Sequence, residues 1–405
     1  VVDVALIILC ALLGNYLFNK IGLPGILGMI FTGLFLGPSG LNVINPEITV
    51  VLKEFKTVAL IVILIRAGLG ISKTTLKRIG GPALRMGFVP CLIEGAVITI
   101  FAWQYFDFQL YEAGMLGFIV AAVSPAVVVP SMLLLKESGL GKKKEVPTLI
   151  LAGASLDDVI AITLFGVFAG IGAGLGTNWT YVVVGVPAGI LLGSLGGALI
   201  GYAFVWFFKR FHLRDTLKVI VFLTIAIVFY DLSELPVVKK TIPIAALLGI
   251  MAIGYIILDK YEVLATRMAA KFGKIWVFAE ILLFVYIGTE VHLDVIDPSS
   301  LGMAVGLLFL GLSARSAGVW LSLIGSDLNA KEKVFCMVAY LPKATVQAAM
   351  GAVPLAMVVA GKLTQTSEAT AQKILTVAVL SIILTAPLGA IGIKLLGPKL
   401  LKENR

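Results

Sequence analysis

Charge is scarce in this sequence, and that decides the broad class. Asp, Glu, Lys and Arg make up 14% of the 405 residues, 59% are hydrophobic and the mean hydropathy is +1.05. A soluble globular domain carries about 25% charged residues, so water is not the main solvent of this chain. Cysteine is nearly absent as well. Cys10, Cys91 and Cys336 each lie in an apolar stretch with no CxxC spacing, which argues against a disulfide framework and a cysteine metal site and leaves core packing as their expected role. No cofactor is expected. The chain opens at Val1 rather than at methionine, so a preceding segment is expected and targeting signals are not readable.

What is present is a succession of apolar runs. A membrane span takes about 20 apolar residues, fewer where a helix is broken or supported by neighbours. Thirteen candidates run over 4–18, 23–37, 57–71, 83–105, 113–135, 146–170, 180–208, 216–230, 242–258, 275–289, 300–323, 333–360 and 371–396. The expectation is an all-α polytopic membrane protein of about 13 transmembrane helices.

Loop charge tests this count independently, because a missed or invented span would scramble its alternation. The loops of one side carry Lys20, Lys73, Lys77, Arg78, Lys136, Lys142, Lys143, Lys144, Lys209, Arg210, Arg214, Lys218, Lys260, Arg267, Lys271, Lys274, Lys331, Lys333, Lys394, Lys399, Lys402 and Arg405. The other side has only Lys53, Lys56, Lys239, Lys240, Lys362 and Lys373, with Asp107, Glu112, Asp294 and Asp297 clustered there without basic neighbours. The alternation places the N-terminus outside and the C-terminus in the cytoplasm, with the plasma membrane as the expected location. It also accounts for the net charge of +9 without a nucleic-acid partner.

The charged residues left inside spans are Arg66, Arg85, Arg315 and Lys343, with Glu94, Asp157, Asp158 and Glu280. Each costs roughly 2.5–3.5 kcal/mol at the bilayer centre and is a functional candidate by default. Arg85 and Arg66 lie near a cytoplasmic helix end, where snorkelling and anchoring are the expected roles. Glu280, about a turn and a half into its span, suits a structural contact or a cytoplasmic funnel equally. Asp157 and Asp158 differ in depth. They follow the start of their span by about twelve residues, or ~18 Å, close to the middle of a core ~30 Å thick. Successive helical residues point about 100° apart, so the two carboxylates need different partners.

Two other segments break helices at the same depth. Pro125 and Pro130 interrupt Ala122–Ser131, and Pro342 stands beside Lys343 in Tyr340–Gln347. Each proline removes a backbone donor, and unwound backbone survives in a membrane only where protein or a cavity covers it. The breaks fall in the fifth and twelfth spans, the correspondence expected of inverted six-helix repeats joined by the seventh. Such paired interruptions point to a binding site. The seventh span carries Gly185, Gly189, Gly193, Gly197 and Gly201, a stripe expected to admit another helix within the protomer.

SPAVVVPSMLLL at 124–135, GASLDD at 153–158 and LPKATVQAA at 341–349 resemble the monovalent cation/proton antiporter-2 superfamily. Within it they are most similar to the sodium/proton antiporter branch that holds the animal solute carrier family 9 subfamily B proteins and their bacterial relatives. The resemblance covers essentially the whole chain. It implies a homodimer with two crossed broken helices in a core domain, a separate dimerisation domain and an elevator-like movement. Residues 57–170 and 275–396 would form mainly the ion-binding core, and 1–37 and 180–258 mainly the dimerisation scaffold and linker. Asp157 and Asp158 match the family's paired aspartates, and Lys343 the lysine of its second broken helix. Arg315 departs from the lysine that several bacterial relatives place in the preceding span.

The implied function is exchange of Na⁺ or Li⁺ for H⁺ by alternating access, with K⁺/H⁺ exchange as the alternative within the superfamily. Arginine keeps its proton in a protein, so buried Arg315 needs a permanent counter-charge. Glu94 is the acid expected to supply it, with Lys343 as the partner of Asp157. Asp158 is then the carrier. Proton and cation compete for its oxygens, with the hydroxyls of Ser155, Ser124 or Thr345, exposed carbonyls and water completing the shell. Separation of Asp157 from Lys343 with loss of the lysine proton would make the cycle electrogenic, the expectation slightly favoured. An intramembrane aspartyl protease, the rival from another class, would need a GxGD motif beside Tyr230-Asp231. None exists, and adjacent aspartates cannot form a facing dyad.

Overall fold

The computed structural model describes residues 2–44, 46–71, 73–174, 179–211, 213–235, 237–238, 244–291, 293, 296 and 298–402. The loop charges Lys239, Lys240, Asp294, Asp297 and Arg405 lie outside the described residues. Among the described residues the protein is all helix: α1 (Val2–Lys20), α2 (Gly25–Leu36), α3 (Pro46–Gly68), α4 (Lys73–Tyr105), α5 (Leu110–Ala121), α6 (Pro125–Glu137), α7 (Val146–Gly172), α8 (Trp179–Arg210), α9 (Asp215–Glu234), α10 (Ala246–Lys260), α11 (Glu262–Thr289), α12 (Leu301–Ser322), α13 (Ala330–Ala339), α14 (Thr345–Met350), α15 (Val353–Val359) and α16 (Glu368–Leu400). Among the described residues eight helical stretches, counting α5–α6 as one, are long and apolar enough to cross a membrane; residues 4–20, 25–36 and 345–359 form shorter apolar stretches.

Several helices outrun their apolar stretches. The span expected at 275–289 belongs to a helix that starts at Glu262, so Arg267, Lys271 and Lys274 sit on helix rather than in a loop. α4 likewise begins ten residues before its apolar run, at Lys73. Hydropathy marks the part of a helix suited to lipid, whereas backbone hydrogen bonding continues through polar turns that water can reach.

Two compact units can be described. One comprises residues Val50–Gly80 and Trp179–Leu283. In it the glycine stripe of α8 meets α10. A Cβ on Gly193 or Gly197 would overlap the carbonyl oxygen of Ala245 or Gly249, and the Gly189 carbonyl accepts from the Ala245 N–H at 3.1 Å. The stripe thus packs within the protomer, as small residues at close backbone approaches do. A Cβ on Gly273 would meet the Arg66 guanidinium at 3.9 Å, and Glu280 is hydrogen-bonded by the Trp276 side chain within electrostatic range of Arg66.

The other unit comprises Val1–Thr49, Gly81–Asn178 and Phe284–Arg405, and it holds both broken helices. α5 ends at Ala121, Ala122-Val123-Ser124 is extended, and α6 restarts with Pro125 at its first position, where no amide donor is needed. Pro130 does not interrupt the chain further; α6 runs through it to Glu137. The second break separates α13 from α14 over residues 340–344. The two breaks touch: the Ser124 N–H donates to the Pro342 carbonyl at 2.8 Å. Close approaches fix the surrounding helices. Gly318 of α12 leaves room for Pro90 of α4, and Gly311 leaves room for Ile98 and the Glu94 carboxylate. Arg315 lies between these glycines at helical spacing, on the face turned to α4.

Candidate functional site

Glu94 from α4, Asp157 from α7, Arg315 from α12 and Lys343 from the second break are all fully buried, and they converge. Arg315 lies at the centre. Its Nη2 donates to both oxygens of Asp157, at 3.0 and 2.9 Å. Its Nη1 donates to Glu94 Oε2 at 2.7 Å and to the Ala121 carbonyl. Its Nε donates to the Tyr340 carbonyl at 2.7 Å, and the Tyr340 ring lies 5.3 Å from the guanidinium carbon. Five acceptor atoms thus surround the guanidinium, more than a three-donor ammonium could serve.

The expected pair Glu94–Arg315 is present, but the expected partner of Asp157 is not Lys343. Asp157 is held by Arg315 and by the Val123 N–H, which donates to Oδ2 at 2.8 Å. The Lys343 ammonium instead lies on Glu94, 2.8 Å from Oε1 and 2.9 Å from Oε2. A single bidentate fork can serve two carboxylates at once, and Glu94 has oxygens enough for both cations. The backbone N–H of Lys343 donates to Thr385 Oγ1 at 2.9 Å, fixing the break against α16.

Two carboxylates and two cations balance in this cluster. Asp158 is outside it. Its Oδ1 is buried and has no hydrogen-bond donor, as one residue's rotation along α7 dictates. The Ser124 and Thr345 hydroxyls, at the starts of α6 and α14, are also buried without partners, whereas the Ser155 hydroxyl donates to the Leu151 carbonyl at 3.0 Å. Buried oxygens lacking donors are costly unless a ligand or water meets them. Hard oxygen donors of this kind suit a small alkali cation. Arg85 is apart from the site, with Nη1 donating to the Ile324 carbonyl at 2.9 Å beyond the end of α12.

Residues not singled out from the sequence also enter the site. Tyr340 supplies a carbonyl and a ring to Arg315, and Gln347 donates to the Ile119 and Ala122 carbonyls at 2.9 Å each. Both lie in or beside the broken segment around Pro342. A polar side chain in an apolar stretch was the available signal for each.

The family model of the transmembrane sodium/hydrogen exchangers matches residues 5–397. The sodium/hydrogen exchanger 9B2 of Homo sapiens is 33% identical over 414 residues, covering 97% of this chain and 74% of that protein. The sodium/hydrogen exchanger 9B1 of Mus musculus is 33% identical over 398 residues, covering 94% and 67%. The structure of the sodium proton antiporter MjNhaP1 from Methanocaldococcus jannaschii at pH 8 superposes with a TM-score of 0.77 at 19% identity, over 99% of this chain and 98% of that one, a likeness of fold. The chain is thus an integral multi-pass membrane protein, a transporter rather than an enzyme, and it belongs to the sodium/hydrogen exchanger family.

Proposed function

We propose that this protein exchanges Na⁺ or Li⁺ for H⁺ across a membrane by alternating access, with cation and proton competing for the carboxylate of Asp158. The reading rests on one observation above all. Glu94, Asp157, Arg315 and Lys343 neutralise one another, so Asp158 is the one buried carboxylate of the site whose charge is not already balanced by a neighbour.

A cation bound there neutralises Asp158, and a proton does the same, so the two loaded states carry equal charge through the membrane while the empty anionic state is costly to move. The hydroxyl oxygens of Ser124, Thr345 and Ser155 and water complete a cation shell. Arg315 orients Asp157 but does not exchange its own proton. Since Asp157 is tied to Arg315, the two-proton cycle built on an Asp157–Lys343 separation loses its starting pair, and one-for-one exchange follows. The same proposal includes 13 spans in inverted repeats, an ion-binding bundle mainly of 57–170 and 275–396, a scaffold mainly of 1–37 and 180–258, and a homodimer. It sets the N-terminus outside the plasma membrane and the C-terminus in the cytoplasm.

The test uses purified protein in liposomes with an imposed pH gradient, to which Na⁺, Li⁺ or K⁺ is added. Na⁺ and Li⁺ should dissipate the gradient in the wild type, with an apparent KM that rises about tenfold for each unit fall in pH where proton and cation compete. Dissipation by K⁺ alone would reassign the protein to K⁺/H⁺ exchange.

A further inference from the structure

A helix leaves its last carbonyls without intrahelical donors, and they carry the negative end of its dipole. α5 stops in mid-chain at Ala121, so these acceptors stand beside Asp157 and the first break rather than in water. They are nevertheless not open. Gln347 Nε2 donates to the Ile119 and Ala122 carbonyls at 2.9 Å and reaches Val120 at 3.4 Å, while Arg315 takes the carbonyl of Ala121. Four consecutive carbonyls are thereby covered by two side chains. The orientation of the amide is not arbitrary, because the reverse would set Oε1 against carbonyl oxygens. That orientation leaves Oε1 buried with no donor, a burden that an apolar side chain of the same volume would not bring.

Rows of backbone carbonyls are the ligands that replace the hydration shell of K⁺ in channels. An uncovered α5 terminus would offer such a row beside Asp157, the residue that precedes the carrier. We propose that Gln347 is a specificity-determining residue: its carboxamide closes the carbonyl end of α5, so that the transported cation meets Asp158 and hydroxyl oxygens instead. Gln347 acts here as a positioning residue, and the inference rests on the assignment of Asp158 as carrier.

The full chain in liposomes is compared as wild type, Gln347→Met, which keeps the volume without an N–H, and Gln347→Asn, which keeps the carboxamide on a shorter arm. In the Met variant the KM for Na⁺ should rise about fivefold, the scale of a lost hydrogen bond, and K⁺ should compete at concentrations without effect on the wild type. The Asn variant should fall between. A purely structural cap would lower thermal stability and leave the Na⁺/K⁺ preference alone. Wild-type preference in folded Gln347→Met, or failure of both variants to accumulate as folded protein, overturns the proposal. An Asp158→Asn control that still exchanges would instead overturn the carrier assignment, so the two failures are distinguishable.

Discussion

Arg315 holds Asp157 through both carboxylate oxygens, at 3.0 and 2.9 Å, from the same guanidinium that reaches Glu94 at 2.7 Å. One side chain thus anchors α4, α7 and both helix breaks. Arg315→Lys keeps the charge but can serve at most three of the five acceptors, and each buried acceptor or ion left unmatched costs about 1–3 kcal/mol. Thermal unfolding in detergent should show a clear loss of stability, and an unchanged midpoint would contradict the five-acceptor arrangement.

Asp158 has no part in that network, so its loss should spare the fold. Asp158→Asn is expected to abolish cation-driven proton movement in liposomes while leaving the unfolding midpoint close to that of the wild type. Normal exchange by this variant would remove Asp158 from the carrier role.

Glu94 is shared by two cations, and its removal has an ordered consequence. Glu94→Gln leaves Arg315 with Asp157 but strands the Lys343 ammonium, at a cost of about 3–5 kcal/mol. Adding Lys343→Met should recover part of the loss, whereas adding Arg315→Gln should not, because Asp157 would then be stranded. A double-mutant cycle on the unfolding free energy reads this, and strictly additive losses in both pairs would reject the geometry.

One-for-one exchange moves no net charge. Transport of one net charge would couple the cycle to voltage by ~2.3 kcal/mol per 100 mV, or about 50-fold in the equilibrium gradient. Exchange in liposomes clamped with valinomycin should be unchanged when the potential is reversed, and a shift of that size would restore the electrogenic cycle.

Gly153, one turn before Asp157, faces the Tyr340 hydroxyl so closely that a Cβ would overlap the oxygen. Gly153→Ala should displace the ring that lies against Arg315, lowering both stability and exchange. Tyr340→Phe in the same chain removes the oxygen and should restore much of each. Equal loss with and without the hydroxyl would place the strain elsewhere.

Much of this arrangement is legible in the amino-acid sequence. Asp157, Asp158 and Lys343 stand out as charges in apolar runs, and Pro125 and Pro342 mark both breaks. Arg315 and Glu94 stood out because a charge in an apolar run needs a partner. The error concerned which acid meets which base. Depth follows from residue number, but the angle at which a side chain leaves its helix, and which helix stands opposite, depend on packing by residues such as Gly311 and Gly318. Their small size was visible; what they would face was not. The role of Gln347 was missed for a related reason, since its acceptors are backbone groups and carry no side-chain signature. Pro130 lies six residues into α6, where its ring was expected to add to the disruption, yet the helix continues through it.

The bond from the Ser124 N–H to the Pro342 carbonyl has a mechanical meaning. It spans a place where each helix lacks its own internal ladder, and so is weak in bending. A load applied to one half-helix cannot fold it about its break without stretching this strut and pulling on the other. With Gln347 and Arg315 tying α5 across the same gap, the two weak points brace each other. In the proposed exchange cycle the pair would move as a truss, with compliance in segments away from the charges.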